Sequence, residues 1–277
     1  MVYLINGESV EREDFNISVE DMVVWRGDGI FEAIQVHDGF PFGLERHLQR
    51  LTSSANKLSL DIDISNIKDW ILEASSLIVN GYVRTIVTRG REGEHSNVYI
   101  LKQELISFPE EFTLNIQKAP WHPAGDFTED DFSAIGVKST SYALNMQHTR
   151  LAKDRDFSDA LLVSRDNILL EGPTFTFCWV KGEKIFTPNL DLGILDSVTR
   201  QYLFLICQEN NIYIEEVKES SEVLNDANEA FILSTAKHAV SISRIDNITF
   251  SDTIITNRLQ GLFTQLIESE RNKFFAK

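Results

Sequence analysis

Two residues of this chain have the types that carbonyl chemistry needs. Lys138 follows the apolar run Ala134-Ile135-Gly136-Val137 and opens the stretch Lys138-Ser139-Thr140-Ser141-Tyr142-Ala143-Leu144-Asn145. Glu171 follows a second apolar run and stands before Gly172. A lysine amine forms a Schiff base with an aldehyde, and a carboxylate keeps a pyridinium nitrogen protonated. Pyridoxal 5'-phosphate (PLP) needs both partners, together with a cradle for its phosphate. Read alone, a lysine after an apolar strand is a surface charge capping an edge. Three neighbours point the other way. Tyr142 offers a hydroxyl to a phenolate oxygen, Ser139 to Ser141 are small enough to leave room for a ring, and Glu171 arrives after one helix and one strand. A lysine kept out of bulk water near a cationic imine loses its proton and serves as nucleophile, then as general base.

Candidates for the cradle follow. Leu195-Asp196-Ser197-Val198-Thr199-Arg200 leads straight into a helical pattern. The first amides of a helix lack internal partners and lie at its positive end, so they bind phosphate. An ordinary N-cap by Asp196 or Ser197 is the competing reading. Ser234-Thr235-Ala236 is a second small polar turn after an apolar strand. Arg50 supplies a full charge, from what the helical periodicity marks as a polar, solvated face.

The elements that must position these residues read as α+β. Residues 2–6 form a strand turned at Asn6-Gly7, and residues 30–36 a second, with Asp38-Gly39 making a hairpin into Phe40-Pro41-Phe42. Leu44, Leu48, Leu51, Ala55 and Leu58 share one helix face, as do Ile67, Trp70, Ile71, Ala74 and Leu77 on a second helix. Val83, Thr85 and Val87 alternate as a strand, with 97–106 as its neighbour. Residues 108–125 carry three of the six prolines, Pro109, Pro120 and Pro123. An inter-domain connection at 113–126 is expected there, between an N-terminal domain 1–112 and a C-terminal domain 127–277. Beyond it the pattern predicts a helix over 143–153, strands at 159–164 and 168–171, and a hairpin over 175–187 through Lys181-Gly182-Glu183-Lys184. A helix from Ser197 to Glu209, a strand over 212–217, a helix over 220–228, a strand ending at Ser234-Thr235 and a last helix from 252 complete the chain.

Composition bounds the rest. The chain has 277 residues, 43% hydrophobic, enough for one large or two medium domains. A net charge of −16 argues against nucleic-acid and anionic-membrane surfaces. Cys178 and Cys207 make neither a disulfide framework nor metal-ligand spacing. No basic n-region opens the sequence, and no run approaches a membrane span, so a cytoplasmic protein is expected.

The ordered set of motifs resembles the class IV aminotransferases, the fold-type IV PLP enzymes. These comprise branched-chain aminotransferases, D-amino acid aminotransferases and aminodeoxychorismate lyases. Gly27-Asp28-Gly29-Ile30-Phe31-Glu32 is similar to the family's Gly-Asp-Gly-Val-Phe-Glu. Glu45-Arg46-His47-Leu48-Gln49-Arg50-Leu51 looks like its arginine-bearing helix, and Lys138 to Tyr142 with Asn145 like its Schiff-base segment. Glu171-Gly172, Thr187-Pro188, Gly193-Ile194-Leu195 and Val198-Thr199-Arg200 follow in family order.

The resemblance implies a two-domain fold, with a small N-terminal α/β sandwich domain and a larger C-terminal domain around a pseudo-barrel β core. It implies Lys138 as the PLP Schiff-base lysine and proton shuttle, Glu171 beside the pyridine nitrogen and Tyr142 on the ring oxygen. Arg50, the amides of Val198 and Thr199, and Thr235 would hold the phosphate. It implies amino acid and 2-oxo acid substrates and a homodimer. Phe31, Arg26 and His95 are the substrate-binding expectations, Arg26 alternatively pairing with Asp28 or Glu32.

The match breaks in places. Thr88-Arg89-Gly90-Arg91-Glu92-Gly93-Glu94-His95 puts Glu94 where D-amino acid aminotransferases carry an arginine, and leaves His95 out of step. Pro173-Thr174-Phe175-Thr176-Phe177 replaces a small polar run and predicts a drier pocket wall. Trp121-His122-Pro123 is a pocket lid or a linker. The activity expected is transamination of a branched-chain or D-amino acid. The alternative is cleavage of 4-amino-4-deoxychorismate to 4-aminobenzoate and pyruvate, since both reactions begin by deprotonating Cα. A catalytically dead scaffold is a third reading, opposed by the intact Lys138 and Glu171.

Overall fold

Alternation in residues 29–37 builds the first sheet. The computed structural model describes residues 2–105, 107, 109, 111–125, 135–236 and 238–276. It divides into two units. The first comprises Met1–Ile106, Gly136–Tyr142 and Ile267–Lys277; the second comprises Ser107–Ile135 and Ala143–Leu266.

In the first unit, β1 (Tyr3–Ile5), β2 (Glu8–Ser9), β3 (Gly29–His37), β4 (Phe40–Pro41), β5 (Asn80–Thr88) and β6 (Asn97–Gln103) form one sheet in the order β2-β1-β6-β5-β3-β4. The short helix α1 (Met22–Arg26) precedes β3, and helices α2 (Leu44–Lys57) and α3 (Ile64–Ser76) lie between β4 and β5. Ile30, Ile34 and Val36 share one face of β3 and join Leu48, Leu51, Ile67 and Ile71 in the core. The predicted helical stripes are these same residues, except that Leu77 caps α3 and is 69% exposed. Asp38 (φ 48°) and Gly39 (φ 83°) make the expected hairpin turn, whose first position favours short polar residues and whose second favours glycine.

In the second unit, β9 (Thr176–Lys181), β10 (Lys184–Pro188), β11 (Ile214–Val217), β12 (Glu229–Ser234) and β13 (His238–Ser241) form a sheet in the order β11-β10-β9-β12-β13. A second sheet has the order β15-β14-β7-β8, from β7 (Thr113–Lys118), β8 (Asp159–Val163), β14 (Arg244–Ile245) and β15 (Ile248–Thr249). Helices α4 (Ala143–Lys153) and α5 (Val198–Glu209) connect these strands. The last helix, α6 (Ile254–Phe275), belongs to the second unit as far as Leu266 and to the first from Ile267. Both cysteines are free, and burial pushes each thiol up to about 12, so neither is a thiolate at neutral pH.

Four local expectations change. The connection expected at 113–126 is a strand over Thr113–Lys118, because Leu114 and Ile116 pair in parallel with β8; residue 126 lies outside the described residues. The Ala134–Val137 run is not a strand where described. Gly136 adopts φ 69° in a turn, and Ala134 lies outside the described residues. Residues 168–171 make only isolated bridges, Val163↔Leu169 and Ile168↔Ser220. Ser221–Asp226 is a 3₁₀ helix rather than an α-helix, held between Ser220 and Ala227 in extended backbone.

Candidate active site

The segment carrying Lys138 is tied to β3. The Phe31 amide donates to the Lys138 carbonyl at 3.0 Å, and the Thr140 amide donates to Gly29 O at 2.8 Å. Ile30 and Ser139 form an antiparallel bridge between these bonds. Thr140 Oγ1 and Ser141 Oγ donate to Gly27 O at 2.7 and 2.9 Å, and the Lys138 amide donates to Ser54 Oγ at 3.3 Å. The close approach needs glycine: a Cβ on Gly27 (φ 64°) would sit 2.5 Å from Ser141 Oγ. Asp28 between the two glycines holds Arg89, whose Nη2 donates to Asp28 Oδ1 at 3.1 Å and to Leu58 O at 2.6 Å. The glycine motif thus places the lysine segment by backbone bonds.

Lys138 Nζ lies 4.4 Å from the Phe31 ring centroid and 5.7 Å from that of Tyr142. The two rings meet edge to face at 5.4 Å. Arg84 also lies on Phe31, with Cζ at 5.2 Å. Its strand partner is Ala33, two residues from Phe31, and directly opposed residues share a sheet face. Arg84 Nε donates to Gln103 Oε1 at 2.6 Å. Burial lowers its pKa, against the raising effect of Tyr142.

On the opposite face of β3, Glu32 falls between Ile30 and Ile34 at a core position and is 1% exposed. Arg50 Nε donates to Glu32 Oε1 at 2.7 Å and Arg50 Nη2 to Oε2 at 2.6 Å, while His47 Nδ1 bonds Oε2 at 2.7 Å. Burial alone would push the Glu32 carboxyl up; Arg50 and His47 outweigh it and hold it well below the usual carboxylate range. Burial lowers the His47 pKa, against the raising effect of Glu32, and Nδ1 is the donor because the ionised carboxylate it faces can only accept. Arg50 is therefore not on a solvated face, because the i, i+3 spacing of His47 and Arg50 turns both toward the sheet.

In the second unit, Glu171 accepts the Leu195 amide at both carboxylate oxygens, each at 3.3 Å. Gly193 (φ 86°) ends the 3₁₀ turn Leu190–Leu192 and redirects the chain toward Leu195. Ser197 caps α5: its Oγ accepts the Arg200 amide at 3.1 Å and meets Thr176 Oγ1 at 2.8 Å. Val198 and Thr199 are buried in the first turn. Behind them Arg200 pairs with Glu216 and, at 3.4 Å, with Asp196. Thr235 lies in the turn between β12 and β13. The first turn of α5 and its Thr199 hydroxyl fit a phosphate, and a lysine beside two rings fits an aromatic aldehyde.

The class IV amino-transferase profile matches residues 29–245, most of the chain. The chain belongs to the class IV aminotransferase family. It is 27% identical to the D-alanine aminotransferase of Bacillus licheniformis, over 99% of both chains. It is 26% identical to the aminodeoxychorismate lyase of Bacillus subtilis, over 97% of this chain and 95% of that one. The PLP-bound form of a hypothetical aminotransferase from Mycobacterium tuberculosis superposes with a TM-score of 0.88 at 25% identity, covering 97% of this chain and 99% of that one. The fold is that of the fold-type IV transaminases, α+β in two units, and this class IV aminotransferase is a PLP enzyme.

Other expected residues of this aminotransferase stand elsewhere. Arg26 is exposed and lies 6.0 Å from the Trp25 ring, while Asp28 and Glu32 are bonded to Arg89 and Arg50. The pairing of Arg26 with either acid is therefore not made. His95 is exposed, and Glu94 reaches Arg91 at 3.9 Å. Phe175 and Phe177 are core residues, at 6% and 0% exposure, rather than a pocket wall. The Phe175 ring covers Gly172, where a Cβ would meet it at 2.0 Å. The Trp121 ring lies tilted against that of His148, with centroids 4.9 Å apart. The sequence motifs contain Glu32 and His47 but do not pair them with Arg50, and Arg84 lies in none of them. The signal for Glu32 was a charged residue at a core register of an alternating strand.

Proposed function

We propose that this enzyme transaminates an amino acid of the branched-chain or D type to its 2-oxo acid, with Lys138 as the PLP lysine. The observation that carries the reading is the backbone-fixed Lys138 with Nζ against Phe31 and Tyr142. When bound, the cofactor supplies an electron sink for the substrate Cα. Lys138 Nζ holds the cofactor aldehyde and then moves the Cα proton. Glu171, fixed by the Leu195 amide, keeps the pyridine nitrogen protonated. Tyr142 donates to the ring oxygen. Arg50, Thr199, Thr235 and the amides of Val198 and Thr199 take the phosphate. Phe31 bounds the substrate. Arg84, on the Phe31 face of the sheet, gives the substrate carboxylate a cation, with Arg26 and His95 as further contacts. Trp25 and Val24, 63% and 52% exposed on α1, support a homodimer. Among the described residues no helix is long and apolar enough to cross a membrane.

The second reading is aminodeoxychorismate lyase, favoured by the full-length similarity to the Bacillus subtilis enzyme of that name. The two separate in a half-reaction. PLP-loaded protein mixed with single amino acids of either hand, without acceptor, should lose its visible band to the pyridoxamine form with one donor. A band unchanged by every donor, together with release of 4-aminobenzoate from aminodeoxychorismate, would establish the lyase. No visible band after PLP is supplied would overturn both.

A further inference from the structure

Glu32, His47 and Arg50 form a buried ionic cluster, with side chains 1%, 2% and 10% exposed. Taking an ion pair out of water costs several kcal/mol, and well-packed apolar groups of similar volume are often at least as stable. Stability therefore gives no reason for a carboxylate between Ile30 and Ile34. What the cluster supplies is direction. An unrestrained arginine loses much rotamer freedom when it binds a ligand. Here the two-point clasp on Nε and Nη2 fixes the guanidinium plane, and with it the direction of the remaining N–H groups. The carboxylate is itself fixed from a second side by His47 Nδ1 at 2.7 Å.

We propose that Glu32, steadied by His47, is a positioning residue for the cofactor phosphate and acts through Arg50; this rests on the reading that Arg50 contacts that phosphate. Glu32 touches neither cofactor nor substrate. The ionised Glu32 offsets the charge of Arg50, so Arg50 contributes oriented donors more than net attraction. The dependence on Glu32 should accordingly appear in phosphate recognition and not in recognition of the aldehyde or ring.

The test compares affinity of the apoprotein for PLP and for pyridoxal, the same aldehyde without phosphate. Wild type should prefer PLP strongly. Glu32→Gln should reduce that preference about tenfold or more, with pyridoxal affinity little changed. Glu32→Asp keeps the charge but withdraws the carboxylate by one methylene, and should give a smaller loss of the same kind. It decides the matter if Glu32→Gln fails to fold. His47→Asn, whose amide can replace the Nδ1 proton, should retain more of the preference than His47→Ala. An unchanged ratio in the Glu32 variants would overturn the proposal. So would equal loss of both affinities, which marks a merely structural role. A wild type without preference for PLP would instead overturn the Arg50 reading beneath it.

Discussion

The Phe31 amide donates to the Lys138 carbonyl at 3.0 Å, so the residue that bounds the Lys138 amine also fixes the lysine's own backbone. Phe31 belongs to β3, which pairs with β5 over its whole length, and Lys138 belongs to a segment with a single bridge to that strand. The lysine thus gains the rigidity of a strand without being in one. The arrangement suits a nucleophile that must return to one position after each proton transfer.

Glu171→Gln retains an oxygen to accept the Leu195 amide but removes the negative charge. The cofactor should still bind, while the first half-reaction slows by roughly 10²-fold or more. Single-turnover absorbance with the preferred donor measures this. An unchanged rate would remove Glu171 from its place at the pyridine nitrogen.

Ser197→Ala deletes the cap of α5 and the partner of Thr176 Oγ1. Loss of a helix cap costs about 1 kcal/mol, so the melting temperature should fall by about 2–4 °C. Scanning calorimetry of the apoprotein reads the stability, and titration with PLP should show weaker binding through the disordered first turn. A variant equal to wild type in both would make α5 irrelevant to the cradle.

These sites were unequally legible in the sequence. Helices α2 and α3 were readable because Leu44, Leu48, Leu51, Ile67 and Ile71 recur on one face, and β3 because its apolar residues alternate. The motif order singles out Arg50, Lys138 and Glu171 as candidates. Their supports were not readable. Arg84 and Phe31 are brought together by β3–β5 register, and Glu32 with His47 by the packing of α2 on the sheet. Both depend on pairings between elements that no local pattern states. The strand expected before Lys138 failed because Gly136 turns the chain within an apolar run. The strand expected at 168–171 failed because its residues make bridges but no ladder, although Leu169 and Leu170 are buried.

His122 makes the fold acid-sensitive. Burial pushes its pKa down to about 4, against a hydrogen bond with the Gly193 backbone that raises it; the ordinary value is 6.5. Between those values the unfolded chain holds a proton that the folded chain lacks, so stability falls as pH drops from 6.5 to about 4. The loss is at most about 3 kcal/mol. His122→Asn keeps an acceptor for the Ala124 amide and does not titrate. Its melting temperature should fall less than that of wild type between pH 7 and pH 4, contributions of the other histidines being common to both. Parallel curves would show that His122 is not the group responsible.

Borohydride reduction of PLP-loaded protein, followed by digestion and mass spectrometry of the peptides, shows which lysine carries the cofactor. Lys138 should be the single modified site, with no modification in Lys138→Ala. A reduced cofactor on another lysine, with Lys138 unmodified, would refute its assignment.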